Sequence, residues 1–131
     1  MKKEVILGLA VLTGLMALSG RPQPTGEEVK PEVAAQVRGA VEDYVKKESE
    51  LKGGFFLRGL SRGEIRDLRF DYVHSGVEPL PGNQYRVCVD FLDQSKKRLD
   101  VDFYLGPTPS GEFQVSKIKV HRVDGVAPKE E

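Results

Sequence analysis

Between residues 85 and 105 apolar and polar side chains alternate in two matching runs. Tyr85, Val87, Val89 and Phe91 share one parity, with Arg86, Cys88 and Asp90 between them. Leu99, Val101, Phe103 and Leu105 repeat the pattern around Asp100, Asp102 and Tyr104. A period of two is strand geometry, because successive side chains leave a pleated backbone on opposite faces. One antiparallel register brings every large apolar group to one side: Phe91 opposite Leu99, Val89 opposite Val101, Val87 opposite Phe103 and Tyr85 opposite Leu105. A slip of one residue would turn the whole set outward, so the register is strongly specified. The same register sets Asp90 opposite Asp100, Cys88 opposite Asp102 and Arg86 opposite Tyr104.

Two further strands flank this hairpin. Leu68, Phe70 and Tyr72 alternate with Asp67, Arg69 and Asp71, and a loop with Pro79, Pro81 and Gly82 is expected over residues 77–83. Pro107, Pro109 and Gly111 mark another turn. In the last strand Phe113 and Val115 keep one phase while Ile118 and Val120 take the other, which requires a bulge near Ser116. Ahead of the strands the period is helical. Val29, Val33, Val37, Ala40, Val41 and Tyr44 recur at intervals of three and four, with Glu42, Asp43, Lys46, Lys47 and Glu50 mostly on the other side. Thr25 and Glu28 have capping-box spacing, Pro31 suits a first turn, and Gly53-Gly54 suits a left-handed C-terminus. Gly39 costs about 1 kcal/mol inside a helix, and a close approach of helix to sheet would account for it. The expected fold is therefore α+β: one N-terminal helix packed on one face of a curved four-stranded antiparallel sheet, an order similar to the cystatin-like and nuclear-transport-factor-like architecture.

The first residues read as an export signal. Lys2 and Lys3 are a basic start, Val5 to Leu18 is an apolar run, and Ala17 and Ser19 are small residues at −3 and −1 of a cut after Ser19. A spanning helix needs roughly 20 apolar residues, more than this run supplies. Leu18-Ser19-Gly20 looks like the start of a lipoprotein box, but Arg21 stands where the lipid-accepting cysteine belongs. The expected organisation is a signal peptide over 1–19, a linker over 20–27, one domain over 28–125 and a loose tail over 126–131. The chain carries 20 basic and 20 acidic residues; without Lys2, Lys3 and Glu4 the balance is 18 to 19. Such neutrality disfavours nucleic acid as a partner, and no stable membrane insertion is expected after cleavage. Cys88 is the single cysteine, so no internal disulfide supports the fold.

Gly53-Gly54-Phe55-Phe56-Leu57, Val73-His74, Tyr85 to Phe91, Leu99 to Phe103 and His121 together resemble a group of short exported bacterial proteins without an assigned activity. The resemblance covers most of the mature domain. It implies export and fold, and adds no chemistry.

Candidate chemistry is sparse. Asp90 and Asp100 facing each other beside Cys88 and Asp102 have the makings of a cation site, or of a carboxylate dyad with one raised pKa. Against this, alternation places them on the outer face of the sheet near Arg69 and Arg86. There, facing like charges cost only about 0.2–1 kcal/mol, and no glycine-bearing acidic loop supplies the oxygens calcium needs. The expectation is a solvated surface that binds no metal tightly. His74 and His121 fall on the first and last of the four strands, at opposite edges, too far apart for a shared zinc site. A nucleophilic Cys88 would need a lowered pKa, and neighbouring aspartates raise it. Phe55 and Phe56 cannot both enter one core if extended, so one of them is a candidate for a pocket or partner surface. No catalytic, cofactor or metal residues are assigned, and Phe55, Phe56, Cys88, Asp90, Asp100 and Asp102 are the candidate contact surface.

The leading functional reading is an exported, non-enzymatic domain. It would bind a protein or small molecule through its sheet or a cavity between helix and sheet. A small enzyme using that cavity competes with it, and would need polar groups among Leu68, Phe70, Tyr72, Val87, Val89, Val101 and Phe103. A structural or inhibitor-type envelope module is the third reading.

Overall fold

A computed structural model of the chain describes residues 28–58 and 65–127. The expected signal segment (1–19) and linker (20–27), with Thr25 of the expected capping box, the expected glycine turn at 59–63 and the last four residues lie outside the described residues.

The elements are α1 (Pro31–Lys52), β1 (Phe55–Arg58), β2 (Ile65–Leu80), β3 (Gln84–Leu92), β4 (Arg98–Pro107) and β5 (Phe113–Val123). The strands form one antiparallel meander in the order β1-β2-β3-β4-β5. This is an α+β fold with five strands, not the four expected. The extra strand is β1, which pairs Phe55 with Leu68 and Arg58 with Ile65. Four residues are too few for alternation to announce a strand.

Helix α1 begins at Pro31, later than a cap at Thr25 implies. The residue before a proline is driven to extended backbone, and Lys30 takes φ −59°, ψ 140°, so the helix cannot run back past it. The first turn closes through Ala34 N–H donating to the Lys30 carbonyl, and no side chain caps it. At the other end Gly53 takes φ 76°, the left-handed conformation that suits glycine. Val37, Val41 and Val45 are buried and pack with the inward residues of β2, β3 and β4. Val45, one turn on from Val41, adds a buried position that the expected stripe did not include. Each such valine contributes about 1.5–3 kcal/mol by leaving water.

The β3–β4 register matches expectation at every pair, from Tyr85 opposite Leu105 to Phe91 opposite Leu99. Val87, Val89, Phe91, Leu99, Val101, Phe103 and Leu105 are all fully buried. Phe55 from β1 stacks on Phe91 at 5.1 Å between ring centroids, and Tyr44 of α1 meets Phe55 and Phe103 edge-on.

Strand β2 departs from expectation twice. Its pairing with β3 steps from Phe70–Phe91 to Tyr72–Asp90, leaving Asp71 as a bulge, and from Val73–Val89 to Val77–Val87. The first step resets the alternation; the second adds two residues and keeps it. Val73 therefore points inward and is buried, while Tyr72, expected inside, lies on the outer face. Phe70 stays on the inner side, edge-on to Phe91, but is 39% exposed. The strand also continues through residues 77–80, where a loop was expected, and turns only at Pro81 to Asn83. Pro79 is tolerated because β1 pairs only with residues 65–68, which leaves this part of β2 an open edge. The bulge expected in β5 is present, with Ser116 skipped between the pairs Tyr104–Lys117 and Leu105–Val115; a second skips His121.

Candidate functional site

The side of the sheet away from the helix carries a polar row that crosses four strands. His74 stands on β2 in the irregular stretch opposite Cys88, and Cys88 and Asp90 lie two residues apart on β3, on one face. Asp100 and Asp102 face them from β4, and His121 sits in the second bulge of β5. His74 Nε2 is 2.8 Å from Asp90 Oδ1, and His121 Nδ1 is 3.3 Å from Asp102 Oδ2. Arg98 donates to the other Asp90 oxygen, and Tyr72 stacks on the His74 ring at 4.9 Å.

This row corrects the expectation of a solvated acidic face. Asp90 is fully buried and Asp102 nearly so, although both lie outside the apolar core. The cover comes from the outer-face side chains themselves, because the β2 bulges swing His74 and Tyr72 over β3 and Arg98 reaches across from β4. The basic partners of Asp90 are His74 and Arg98, not Arg69 or Arg86; Arg86 pairs with Glu78 and also interacts with the Asp102 charge. The two histidines do not meet, since β3 and β4 separate them, and each holds its own aspartate.

The electrostatics follow from this packing. Burial raises the Asp90 carboxyl, but hydrogen bonds from Arg98 and His74 overcome it and hold the group below the ordinary range. Asp100 is raised, first by burial and then by its hydrogen bond with Asp90 and that group's negative charge. One of two facing carboxylates thus keeps its proton more readily, the dyad behaviour the register allows. The Cys88 thiol is pushed up to about 12 by burial first and then by Asp102, Asp100 and Asp90. It is not an activated nucleophile.

A second feature lies between α1 and the start of β5. A cleft of about 620 Å³ is lined by Gln36, Gly39, Asp43 and Lys47 from the helix and by Phe113 and Val115 from the strand. No close approach explains Gly39: a Cβ placed there meets nothing within 4 Å. The glycine opens onto the cleft.

The Phe55-Phe56 pair resolves as extended geometry demands. Phe55 is in the core and Phe56 is 39% exposed on the other side of β1. Asp93 was not anticipated at all. It is buried in the β3–β4 turn, where Oδ1 accepts from the backbone N–H of Ser95 and Lys97 and Oδ2 accepts from Arg66 at 3.0 Å. An aspartate opening the short polar turn Asp93-Gln94-Ser95-Lys96 was the available signal.

Compared with protein-family models, with curated proteins and with solved structures, the chain matches none of them.

Proposed function

We propose that this chain is an exported, non-enzymatic binding domain that seats a small amphipathic ligand in the cleft between α1 and β5. The observation that carries this reading is Gly39. A mid-helix glycine costs about 1 kcal/mol relative to alanine, and here packing gives no reason for it, because the space above it is the cleft itself. The cleft has the volume of ordinary ligand pockets and offers mixed partners: the Lys47 ammonium, the Asp43 carboxylate and the Phe113 ring. The space directly between helix and sheet is filled by valine, leucine and phenylalanine, which leaves chemistry no polar chamber there. Export rests on the signal-like segment over 1–19 and on the resemblance to short exported bacterial proteins. The likeness to cystatin-like folds rests on element order, a helix followed by an antiparallel meander.

The test is an amide NMR screen of the labelled protein against a library of small amphipathic fragments. Binding should shift the resonances of Gly39, Gly111 and Val115, and Gly39→Leu should abolish it without lowering the melting temperature. Hits that map elsewhere, or that bind Gly39→Leu equally well, defeat the reading.

A further inference from the structure

On the opposite face from the cleft, and independent of it, we propose that His74, Cys88 and Asp90 form a binding site for one transition-metal dication of the zinc type. A nitrogen, a sulfur and an oxygen donor from these three residues lie within 4.8 Å of one another. Donors around a tetrahedral zinc stand roughly 3.5 Å apart, given bonds of about 2.0–2.3 Å, so small side-chain rotations bring all three into range. Two of the ligands are fixed to one strand two residues apart, and the third is delivered by the β2 bulges from the neighbouring strand. Such a site stands on sheet, not on a loop.

The donor set decides the ion. Calcium and magnesium take oxygen ligands, whereas thiolate with imidazole and carboxylate suits zinc and cobalt. The surroundings favour a dication as well. Asp100 and Asp102 add negative charge beside Cys88, and the same carboxylates that disfavour a bare thiolate attract a metal. Cationic groups oppose them: Arg98, Arg86 through its charge interaction with Asp102, Lys119 and Arg122 opposite Asp102 and Asp100 on β5, and His121 when protonated. Arg98 occupies only the second Asp90 oxygen and leaves Oδ1 for the ion, the arrangement in which an outer partner orients a ligating carboxylate. His121 is held by Asp102. On binding, the ion replaces the proton that His74 Nε2 shares with Asp90 Oδ1 and the proton of the Cys88 thiol; both leave to solvent. The His74 side chain is 37% exposed, so a water can complete the fourth position. The sequence analysis expected no tight metal binding because it placed the aspartates on a solvated face with no acidic loop to add oxygens; Asp90 is instead buried with His74 against it.

The experiment strips the purified protein with EDTA and titrates it with Co²⁺, then Zn²⁺. One equivalent of Co²⁺ should produce a thiolate-to-cobalt charge-transfer band in the near ultraviolet, and one equivalent of Zn²⁺ should displace it. Cys88→Ser should lose the band, and His74→Gln should weaken zinc binding by about tenfold or more. If Cys88→Ser does not fold, as judged by circular dichroism, His74→Gln decides alone, because it alters a part-exposed side chain. Absence of the cobalt band at tens of micromolar protein overturns the proposal. So does zinc affinity that is unchanged in His74→Gln, or that falls instead in His121→Gln.

Discussion

Asp90 is the residue on which the outer face turns, because it is a fully buried charge held by two partners that themselves reach water. Its folded carboxyl is lowered, so it contributes stability that is present above the unfolded value near 3.9 and lost as the pH falls through the folded one. Asp100 is raised and works in the opposite sense, stabilising below the unfolded value and losing that contribution as the pH rises through the folded one. At pH 7 the two therefore carry opposite signs. Urea denaturation should find Asp90→Asn destabilised by about 1–3 kcal/mol, the worth of hydrogen bonds to a charged group, and Asp100→Asn unchanged or more stable by up to about 1 kcal/mol. Equal and same-signed effects would refute the division. Cys88 gives a second check in metal-free protein. With its thiol pushed up to about 12, only about one molecule in ten thousand carries a thiolate at pH 8, so alkylation by iodoacetamide should be far slower than for a free cysteine and should keep rising beyond pH 10. Asp102→Asn should accelerate it by removing the negative charge that, after burial, does most to raise the thiol. A plateau near pH 9 would mean that neither burial nor the aspartates govern the thiol.

At the level of elements, α1 presents the one position where sequence and packing disagree. Gly39 has open space around it, so alanine meets no clash and restores helix propensity; Gly39→Ala should raise stability by about 0.5–1 kcal/mol in thermal or urea unfolding. A loss would show that the backbone there needs glycine after all. The strands show what alternation can and cannot convey. β3 and β4 were fully legible, register included, because no residue in either run breaks the period. The bulge at Ser116 was legible too, since inward residues on either side of it are apolar and their change of phase shows in the sequence. The β2 bulges were hidden, because Tyr72 is as apolar as an inward residue and masks the reset at Asp71. That one concealed shift also concealed the site. With Tyr72 read as inward, His74 shares its parity and is lost to the core face, and its contact with Asp90 could not be foreseen. Taking Val73 and Val77 as the inward pair would have placed His74 outside, beside Cys88.

For the whole molecule, stability has to come from the apolar layer between α1 and the sheet, because a single cysteine gives no internal disulfide. That suits a domain meant to stand alone after export, and the proposal of export has a direct chemical consequence at its N-terminus. On that proposal the basic Lys2-Lys3 pair, the apolar run to Leu18 and the small residues Ala17 and Ser19 would direct a cut after Ser19, and the mature chain should begin at Gly20. Among the described residues no helix is long and apolar enough to cross a membrane, so after cleavage α1 offers no second anchor. Arg21, which follows the lipoprotein-like Leu18-Ser19-Gly20, has no thiol to accept a lipid. Intact-mass spectrometry of protein taken from the native host should therefore find a chain starting at or next to Gly20 with no acyl mass added. Retention of Met1 would remove the export reading. A mass increment equal to a diacylglyceryl or fatty acyl group would show that the lipoprotein-like Leu18-Ser19-Gly20 is used by a chemistry that needs no cysteine, and the free binding domain would become a membrane-tethered one.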